Sequence, residues 1–471
     1  MKFLVALFVI SIHLPLYCQP VKMKLLGHWR DSLIPGSSAH NNAFNEAWGV
    51  WNKGREYGII GSTLGIHFID VTDPTHPKEV ARVLGGTSNA SVIHRDYDDY
   101  QCYLYAVCDE GDKSSLQIMD FSQLPDTVIT VYDSKKLLIR SHNIFLDIPK
   151  GRLYSCAEKA ENGYYALSIY DLKNPTNPIL LGHFNQFGDI KASHVHDAYV
   201  RNDTAYLNCG NDGFAIMNFS DINNPVALFT LKPNEYKQSG YNHSGWLTPD
   251  GKTYVMADEN HGSPVKILDL NDFSNIKVIS TLPIENDNIA IPHNPLVSCQ
   301  YAYVAYYYDG LQVYDISNPK HPIKSYYYPT STETNDLRYK GAWGTYPYLP
   351  SGNIIVADMQ NGMFVLEGIE KPCNVIKSCA QAVSNHHIQH FELTIIPNPS
   401  KEYIEISWEA ASEVHSYQIL KIDGTTVLES STITQGTIRK KIDVSHYLPG
   451  LYLVRVVNNY GSSIHKIIIG N

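Results

Sequence analysis

The sequence has few charged residues, no excess of positive charge and, beyond its first residues, no long hydrophobic run. Only 18% of its 471 residues are charged, and 37 Lys and Arg stand against 47 Asp and Glu, which gives a net charge of −10. General nucleic-acid-binding proteins carry a basic surface, so this balance argues against that class. No stretch after the N-terminus reaches the roughly 20 apolar residues of a membrane helix. We therefore expect no nucleic-acid partner and no transmembrane segment.

The sequence also lacks the short motifs of several common enzyme classes. It contains no G-x-S-x-G, H-E-x-x-H, EF-hand loop or G-x-G-x-x-G. Residues 245–253 (GWLTPDGKT) resemble a phosphate-binding loop, but five residues instead of four separate the glycines, and TPDGKT is typical of a hairpin. What the chain does have is 33 Tyr, many turn residues and a hydrophobic fraction of 44%. This composition indicates a folded β protein.

The first 18 residues are typical of a secretory signal peptide. Lys2 supplies the positive start, and residues 3–12 (FLVALFVISI) form an apolar segment too short to span a membrane. Cleavage is expected between Cys18 and Gln19. A lipid anchor on Cys18 is the alternative, although residues 15–17 (PLY) are not the small residues that lipoproteins have there.

Seven cysteines remain after this cleavage, an odd number that leaves at least one thiol free. Export permits disulfides, and Cys373 and Cys379, which share a polar segment, are expected to pair locally. Cys108, Cys156 and Cys209 lie in predicted strands and are expected to be small buried apolar residues.

An internal repeat of about fifty residues is the strongest pattern in the sequence. One phrase, LGIHFIDVTDPTHP in its first copy, combines an apolar strand, an acidic residue and an Asn/Asp-Pro turn. Two strands precede each copy and one follows it, so every repeat predicts four short strands. The copies occupy residues 64–77, 116–127, 167–178, 214–225, 265–276, 311–322 and, truncated, 363–370.

Four strands repeated seven times predict an all-β fold, a seven-bladed β-propeller over residues 19–370. The seventh repeat ends after its third strand. Residues 23–29 (MKLLGHW) match the missing fourth strand, so we expect the N-terminal strand to complete the last blade and close the ring. The acidic residue of the phrase precedes the turn in each copy, and capping of that turn is its expected role.

The repeated phrase resembles that of LVIVD-repeat propellers, and residues 19–370 as a whole resemble the bacterial secreted group described as choice-of-anchor B. The resemblance rests on the seven copies quoted above and covers about three quarters of the chain. It implies a secreted or surface-bound β-propeller, and it implies no particular chemistry.

The last part of the chain has a different period. Residues 371–392 are predicted to be a linker, in which His386, His387 and His390 are expected to be solvated. Residues 393–471 contain alternating strands and turns, enough for a small Ig-like β-sandwich. Their Pro397-Asn398-Pro399 opening, Gly424 and the LPGLY run at 448–452 resemble the type A C-terminal sorting domain of the Bacteroidetes type IX secretion system. So does the final strand.

That resemblance implies an export route. The signal peptide would take the chain to the periplasm, and the type IX machinery would recognise residues 393–471 and pass the protein through the outer membrane. The mature protein would then be extracellular, either released or attached to the outer-membrane surface.

Histidine recurs at one position of the first strand in five of the seven repeats. Composition alone, 20 His in 471 residues, would give about 0.3 His in seven positions, so the column reflects a shared role. Three residues later comes a mostly aromatic column, from Trp51 to Tyr346, that packing explains. The members of the first column are Trp48, His94, His142, His196, His243, His293 and Trp343.

The loop after the second strand is acidic in several repeats and is expected to share one mouth of the channel with this histidine column. Imidazoles and carboxylates together suit Zn, Fe, Mn, Ni or Cu, so the five histidines are candidate ligands for one transition metal. The alternative is a polar ring in which each His bonds a neighbouring blade and channel water. His194 lies two residues from His196 and is an additional candidate ligand. The acidic residues are Asp109, Glu110, Asp112, Glu158, Asp212, Asp258, Glu259, Asp309 and Asp358.

Two functions remain open from the sequence. The first is an exported binding or scaffold module with its site at the histidine ring, where an aromatic rim from the many Tyr would suit a glycan or protein ligand. The second is a metal-dependent extracellular enzyme that uses the five histidines as ligands. Its candidate general bases are Glu158, Asp258 and Glu259.

Overall fold

A computed structural model describes residues 19–284, 289–373, 379, 393–408, 414–421, 426–434, 438–458 and 461–470. The expected signal peptide and the three histidines of the predicted linker lie outside these residues. Contacts divide the chain into two units, Met1–Cys379 and Ala380–Asn471, with the division inside the predicted linker. Both units are built from β-strands, and three short 3₁₀ turns at Ile148–Lys150, Pro233–Glu235 and Phe273–Asn275 interrupt the first. Among the described residues, no helix is long and apolar enough to cross a membrane.

The first unit contains 31 strands in the described part of the chain. Those of its first half are β1 Val21–Lys22, β2 Leu25–Trp29, β3 Phe44–Asn52, β4 Arg55–Ser62, β5 Gly65–Asp70, β6 Lys78–Leu84, β7 Arg95–Tyr100, β8 Tyr103–Cys108, β9 Leu116–Asp120, β10 Ile129–Ser134, β11 Asn143–Asp147, β12 Arg152–Ala160, β13 Gly163–Asp171, β14 Ile179–Phe184, β15 Gln186–Phe187 and β16 Ile190–Lys191. Those of its second half are β17 Asp197–Arg201, β18 Thr204–Asn208, β19 Phe214–Asn218, β20 Val226–Leu231, β21 Asn242–Leu247, β22 Thr253–Asp258, β23 Lys266–Asp269, β24 Lys277–Thr281, β25 Pro295–Ser298, β26 Tyr301–Ala305, β27 Leu311–Asp315, β28 Ile323–Tyr328, β29 Ala342–Tyr346, β30 Ile354–Asp358 and β31 Gly362–Leu366.

These strands form seven antiparallel sheets in which neighbours in sequence are neighbours in space. Six sheets follow chain order: β3–β6, β7–β10, β11–β14, β17–β20, β21–β24 and β25–β28. The seventh has the order β2-β31-β30-β29, because the strand expected near residues 23–29 pairs antiparallel with β31. β1 adds to β28 in parallel, and β15 and β16 form a separate hairpin.

The seven sheets contact one another in cyclic order through the strands that begin them. β3 contacts β7, and contacts continue through β11, β17, β21 and β25 to the seventh sheet, whose β29 returns to β3. Hydrophobic clusters fill the spaces between neighbouring sheets; one of them joins Tyr154 and Ile169 of the third sheet to Leu207 and Met217 of the fourth. The first strands thus surround a common centre.

The turn after each third strand is held by the acidic or amide side chain that ends it. Asp70 Oδ1 accepts a hydrogen bond from the main-chain N–H of Thr72 at 3.0 Å, and the same i to i+2 contact recurs in five more sheets. This confirms turn capping for six positions of the acidic column. The other five residues are Asp120, Asp171, Asn218, Asp269 and Asp315.

The cysteines pair differently from the sequence expectation. Cys373 bonds Cys299 and Cys379 bonds Cys102, so the expected local Cys373–Cys379 bond is wrong. Both partners lie in turns between the first and second strands of their sheets, a long-range proximity that spacing along the chain does not reveal. The other three cysteines, Cys108, Cys156 and Cys209, are free and buried, as predicted.

The second unit contains two further sheets, one with the order β32-β33-β36 and one with the order β35-β34-β37-β38. Residues from both sheets form one hydrophobic cluster, which includes Ile404, Ile442, Ile419, Val454 and Ile467. The strands are β32 Leu393–Ile396, β33 Tyr403–Trp408, β34 Val414–Lys421, β35 Thr426–Thr434, β36 Ile438–Asp443, β37 Gly450–Asn458 and β38 Gly461–Ile469.

Candidate functional site

Five imidazoles and one indole form a closed ring at the centre of the first unit. Each lies at or just before the beginning of the first strand of its sheet, which puts all six side chains at the same end of the strands. The separations between ring centroids are 5.0 Å for His94–His142, 4.1 Å for His142–His196, 4.0 Å for His196–His243, 4.5 Å for His243–His293, 4.4 Å for His293–Trp343 and 5.2 Å for Trp343–His94.

Trp48 is not part of this ring, although the sequence column included it. The register between β3 and β4 shifts between Phe44 and Ala47, so extra residues displace the rest of β3 relative to the other first strands. Trp48 instead packs on Tyr346 at 5.0 Å between ring centroids and donates its indole N–H to Asp99. It therefore lies in the aromatic layer that the sequence assigned to Trp51.

Carboxylates hold two of the imidazoles. His142 Nδ1 lies 2.9 Å from Asp109 Oδ2, and His94 Nδ1 hydrogen bonds Glu110, which also accepts the main-chain N–H of His94 at 3.0 Å. Since a carboxylate can only accept, Nδ1 carries the proton in both imidazoles. Burial opposes protonation of His142, but the hydrogen bond and charge of Asp109 outweigh it and raise the pKa of His142.

Main-chain carbonyl oxygens accept hydrogen bonds from two more of the imidazoles. His196 Nδ1 lies 3.0 Å from the carbonyl oxygen of His243, and His293 Nδ1 lies 2.5 Å from that of Trp343. Both Nδ1 atoms must therefore donate. Burial lowers the pKa of His196 well below its usual range and lowers that of His293 to about 3, so both imidazoles are neutral at neutral pH.

A serine hydroxyl orients the fifth imidazole. Ser244 Oγ donates to the carbonyl oxygen of His293 at 2.7 Å and lies 3.0 Å from His243 Nδ1. Because the single hydroxyl proton is used on the carbonyl, His243 Nδ1 must donate to Oγ. Burial holds the pKa of His243 well below its usual range, so this imidazole is also neutral.

All five Nδ1 atoms thus carry a hydrogen and bond an acceptor outside the ring. Among the described residues, no hydrogen bond engages the Nε2 atoms of His94, His142, His196 and His293, and His243 Nε2 lies 3.5 Å from Glu259 Oε2. Metal-binding histidines show this arrangement, in which one nitrogen is anchored to a carbonyl or carboxylate and the other is free to bind.

The ring lines a cavity of about 160 Å³. Glu259 and Tyr307 form part of its wall, and the Tyr307 hydroxyl donates to Glu259 Oε1. His40, Ile93 and Tyr339 complete the lining. His194 lies beside the ring rather than in it; its imidazole is 6.3 Å from that of His196, and its Nε2 bonds the Tyr241 hydroxyl at 2.6 Å.

Of the three candidate general bases, Glu259 lines this cavity. Burial raises the pKa of its carboxyl to about 7. Glu158 is buried elsewhere and accepts the Tyr170 hydroxyl at 2.8 Å. Asp258 forms a fully buried ion pair with Lys266 at 2.7 Å. The last two residues are held by interactions within their own sheets and do not line the cavity.

A layer of carboxyl groups follows the ring histidines along the first strands. These groups surround a second, smaller cavity of about 50 Å³. Burial raises the pKa of Glu46 and of Asp197 to about 7 and raises those of Asp96 and Asp98 well above their usual range. This layer was not predicted from the sequence. A signal was present, because Asp96 and Asp197 follow the column histidines within two residues.

Two parts of the chain match known protein families. Residues 394–470 match the secretion system C-terminal sorting domain, Por_Secre_tail, and residues 296–330 match the LVIVD repeat. The predicted LVIVD repeat and the predicted C-terminal sorting domain are thereby confirmed. The sorting tail is of the type IX secretion system, and it marks the chain as a secreted or cell-surface protein. No curated protein matches the chain in sequence.

Several solved structures resemble this chain at low sequence identity. A protein from Lactobacillus plantarum is 11% identical, with 80% of this chain and 95% of that chain covered and a TM-score of 0.48. U3-55K is 10% identical, with 74% and 99% covered and a TM-score of 0.47. The β-propeller domain of Myceliophteria thermophila Cps50 (Swd1) is 10% identical, with 67% and 94% covered and a TM-score of 0.44.

Proposed function

We propose that this chain is an exported seven-bladed β-propeller that acts as a binding module, and that its ligand is a transition-metal ion held by the imidazoles of the central ring. The sorting tail supplies the export route. An Ig-like sandwich over residues 393–471 would be the part that the secretion machinery recognises, and the propeller would be the cargo.

The propeller interpretation is supported by the order of the sheets. Seven four-stranded meanders contact one another in cyclic order, and β2 supplies the fourth strand of the last sheet from the other end of the chain. A ring held together in this way has no free first or last sheet.

One observation carries the metal proposal: all five imidazoles donate through Nδ1, so their Nε2 lone pairs are available inside one cavity. Imidazoles that are anchored through Nδ1 and have Nε2 directed into a shared cavity suit Zn, Fe, Mn, Ni or Cu.

A metal-dependent enzyme on the same ring is the second candidate. It is favoured by Glu259, a carboxyl group in the same cavity as the imidazoles. A glycan or protein ligand on the aromatic rim would leave the imidazoles without a defined role.

The metal content of the full-length chain tests the proposal. The protein, purified without an affinity tag after growth with Zn, Fe, Mn, Ni and Cu supplied, is expected to hold about one transition metal per chain by mass spectrometry. A His243→Ala/His293→Ala double variant should lose it. His183→Ala is the matched control, because His183 stacks on Tyr165 outside the ring. A wild-type chain that binds none of these metals would refute the proposal.

Export is tested separately. Deletion of residues 393–471 should retain the protein in the periplasm, whereas the full chain should reach the medium or the cell surface. Cell fractionation and immunoblotting measure the difference, and the ring variants should be exported normally.

A further inference from the structure

One contact in the ring places a carboxylate against the cavity-facing nitrogen of an imidazole. His243 Nε2 and Glu259 Oε2 lie 3.5 Å apart, and the His243 and Glu259 side chains are 3% and 16% exposed. His243 Nδ1 bonds Ser244, so Nε2 is the nitrogen that faces Glu259. An imidazole that is anchored through one nitrogen and has the other beside a carboxylate oxygen has the arrangement of a metal ligand.

A metal ion suits this separation. Bonds of 2.0–2.2 Å from Zn²⁺ to nitrogen and oxygen put neighbouring ligand atoms of a tetrahedral site about 3.3 Å apart. The ligand atoms of His243, Glu259 and His293 all lie within 4.8 Å of one another. His293 contributes a free Nε2 as well, because its Nδ1 donates to the carbonyl of Trp343.

The other half of the ring also brings a carboxylate close to two imidazoles, in the group His94, Asp109 and His142. That proximity is already explained. Asp109 accepts the Nδ1 hydrogen of His142, and the Nδ1 of His94 is taken by Glu110. These carboxylates act as hydrogen-bond acceptors that orient the imidazoles through Nδ1, whereas Glu259 lies next to an Nε2.

We propose that the ion is held at one side of the ring by His243 Nε2, His293 Nε2 and Glu259 Oε2, with at least one coordination position open to the cavity. This inference rests on the proposed metal-binding function and narrows it to a ligand set. Two histidines and one carboxylate with an open position form the ligand set of catalytic zinc sites and of non-haem Fe(II) sites. Glu259 is thus a ligand rather than a general base.

Tyr307 is the positioning residue of this site. Its hydroxyl donates to Glu259 Oε1, and its ring lies 5.3 Å from that of His293. The hydrogen bond occupies one carboxylate oxygen and turns Oε2 toward His243. Loss of such an outer-shell hydrogen bond usually weakens metal binding 10- to 100-fold.

The open position determines what else the site can bind. The remaining wall of the cavity consists of three ring histidines, two aromatic residues, an isoleucine and one further histidine: His94, His142, His196, Tyr339, Trp343, Ile93 and His40. At about 160 Å³ the cavity admits water or a small anion next to the ion, and it is too small for an oligosaccharide or a folded partner. We therefore infer a small oxygen-, nitrogen- or sulfur-donor molecule as the second ligand.

Titration of the metal-free full-length chain with Zn²⁺ and with Co²⁺ tests the ligand set. Glu259→Gln and His293→Gln should weaken Zn²⁺ binding at least 100-fold, and Tyr307→Phe 10- to 100-fold. His183→Gln, the same change outside the ring, is the matched control and should bind within about threefold of the wild type. His94→Gln and His142→Gln should weaken Zn²⁺ binding less than His293→Gln does. Circular dichroism shows whether each variant is folded, and Tyr307→Phe removes only one hydroxyl group.

Co²⁺ absorption tests the open position. Bound Co²⁺ should give visible bands that shift when azide is added, and Glu259→Gln should abolish both the bands and the shift. Co²⁺ bands that azide does not change would overturn the open position. Loss of Zn²⁺ in His94→Gln or His142→Gln, or unchanged affinity in Glu259→Gln, would overturn the ligand set while metal binding itself stands. A wild-type chain that binds neither ion would refute the metal-binding function itself.

Discussion

The Ser244 hydroxyl donates a 2.7 Å hydrogen bond to the main-chain carbonyl of His293, and this one contact fixes the tautomer of the neighbouring imidazole. Because the hydroxyl hydrogen is used there, His243 must donate from Nδ1 and present Nε2 to the cavity. Two first strands are linked in this way, so the orientation of one ring histidine depends on the backbone of the next sheet.

Replacement of Ser244 by alanine is expected to weaken Zn²⁺ binding 10- to 100-fold, since His243 would lose the acceptor that orients it. Competition titration with a chromophoric chelator measures the affinity. Ser168→Ala is the control, because Ser168 makes the same hydroxyl–imidazole contact with His183 outside the ring. Equal affinities in the wild type and Ser244→Ala would contradict the assigned role.

The buried pair of Lys266 and Asp258 predicts a strong stability coupling. Both side chains are fully buried, and Lys266→Met would leave the Asp258 carboxylate without its cation, at a cost of about 3–5 kcal/mol. The double variant Lys266→Met/Asp258→Asn should recover part of that loss. Denaturant unfolding of Lys266→Met, Asp258→Asn and the double variant measures the coupling. If the two substitutions changed the free energy of unfolding additively, the two residues would not interact. The metal content of every variant should equal that of the wild type.

The interactions of the Glu79 carboxylate predict that the fold loses stability in acid. Burial alone would raise the pKa of Glu79, but hydrogen bonds from His67 and Arg82 outweigh it and lower that pKa to about 2. A carboxyl group with a lowered folded-state pKa stabilises the fold above its unfolded value, near pH 4.5, and this contribution fades as the pH falls toward 2.

Glu79→Gln is therefore expected to be about 1–2 kcal/mol less stable than the wild type at pH 7, a value reduced for the partial exposure of the pair. The difference should vanish near pH 2. Thermal melting between pH 2 and pH 7 measures it, with the exposed residue Glu402 as a Glu→Gln control. A constant difference across this pH range would be inconsistent with the ion pairs.

The disulfide between Cys299 and Cys373 predicts a redox-dependent stability. Its removal in Cys299→Ser should cost about 2–4 kcal/mol, because it closes a loop with a sequence separation of 74 residues. In reducing agent the wild type should lose at least as much stability as the variant, because the Cys102–Cys379 bond opens as well. Cys209→Ser serves as the comparison: Cys209 forms no disulfide, so this variant should lose stability in reducing agent to the same extent as the wild type. Insensitivity of the wild type to reduction would count against the pairing.

Asn398 joins the loop between β32 and β33 to strand β38 of the sorting domain. Its side chain donates to the carbonyl of Lys466 at 2.9 Å and accepts the N–H of Ile468 at 2.8 Å. Asn398→Ala should destabilise this domain by about 1–2 kcal/mol and reduce the exported fraction, as measured by melting and by cell fractionation. The exposed Lys401→Ala should export normally, and equal export of both variants would argue against this role for Asn398.

The repeated strands and their turns were predictable because they depend on local chemistry. An apolar strand followed by Asp or Asn and a Pro turn is stabilised within a few residues, as the contact from Asp70 to the Thr72 N–H shows. The same repetition revealed the histidine column and the missing fourth strand near residues 23–29. The sorting tail was recognised from its own motif.

Two errors came from interactions between distant residues. Extra residues in β3 displace Trp48 from the histidine column. The sequence alone does not reveal the register in which β3 pairs with β4. Cys373 and Cys379 pair with Cys299 and Cys102 because the chain passes near turns that are far away in sequence.

By itself, then, the sequence determined the strand pattern, the sorting tail and which residue types surround the centre. Only the tertiary structure decided which nitrogen of each imidazole is free, and that Glu259 rather than Glu158 or Asp258 reaches the ring. The physical reason is that hydrogen-bond direction depends on partners from neighbouring sheets. The Ser244 hydroxyl and the carbonyls of His243, His293 and Trp343 become partners of these imidazoles only when the sheets close around their common centre.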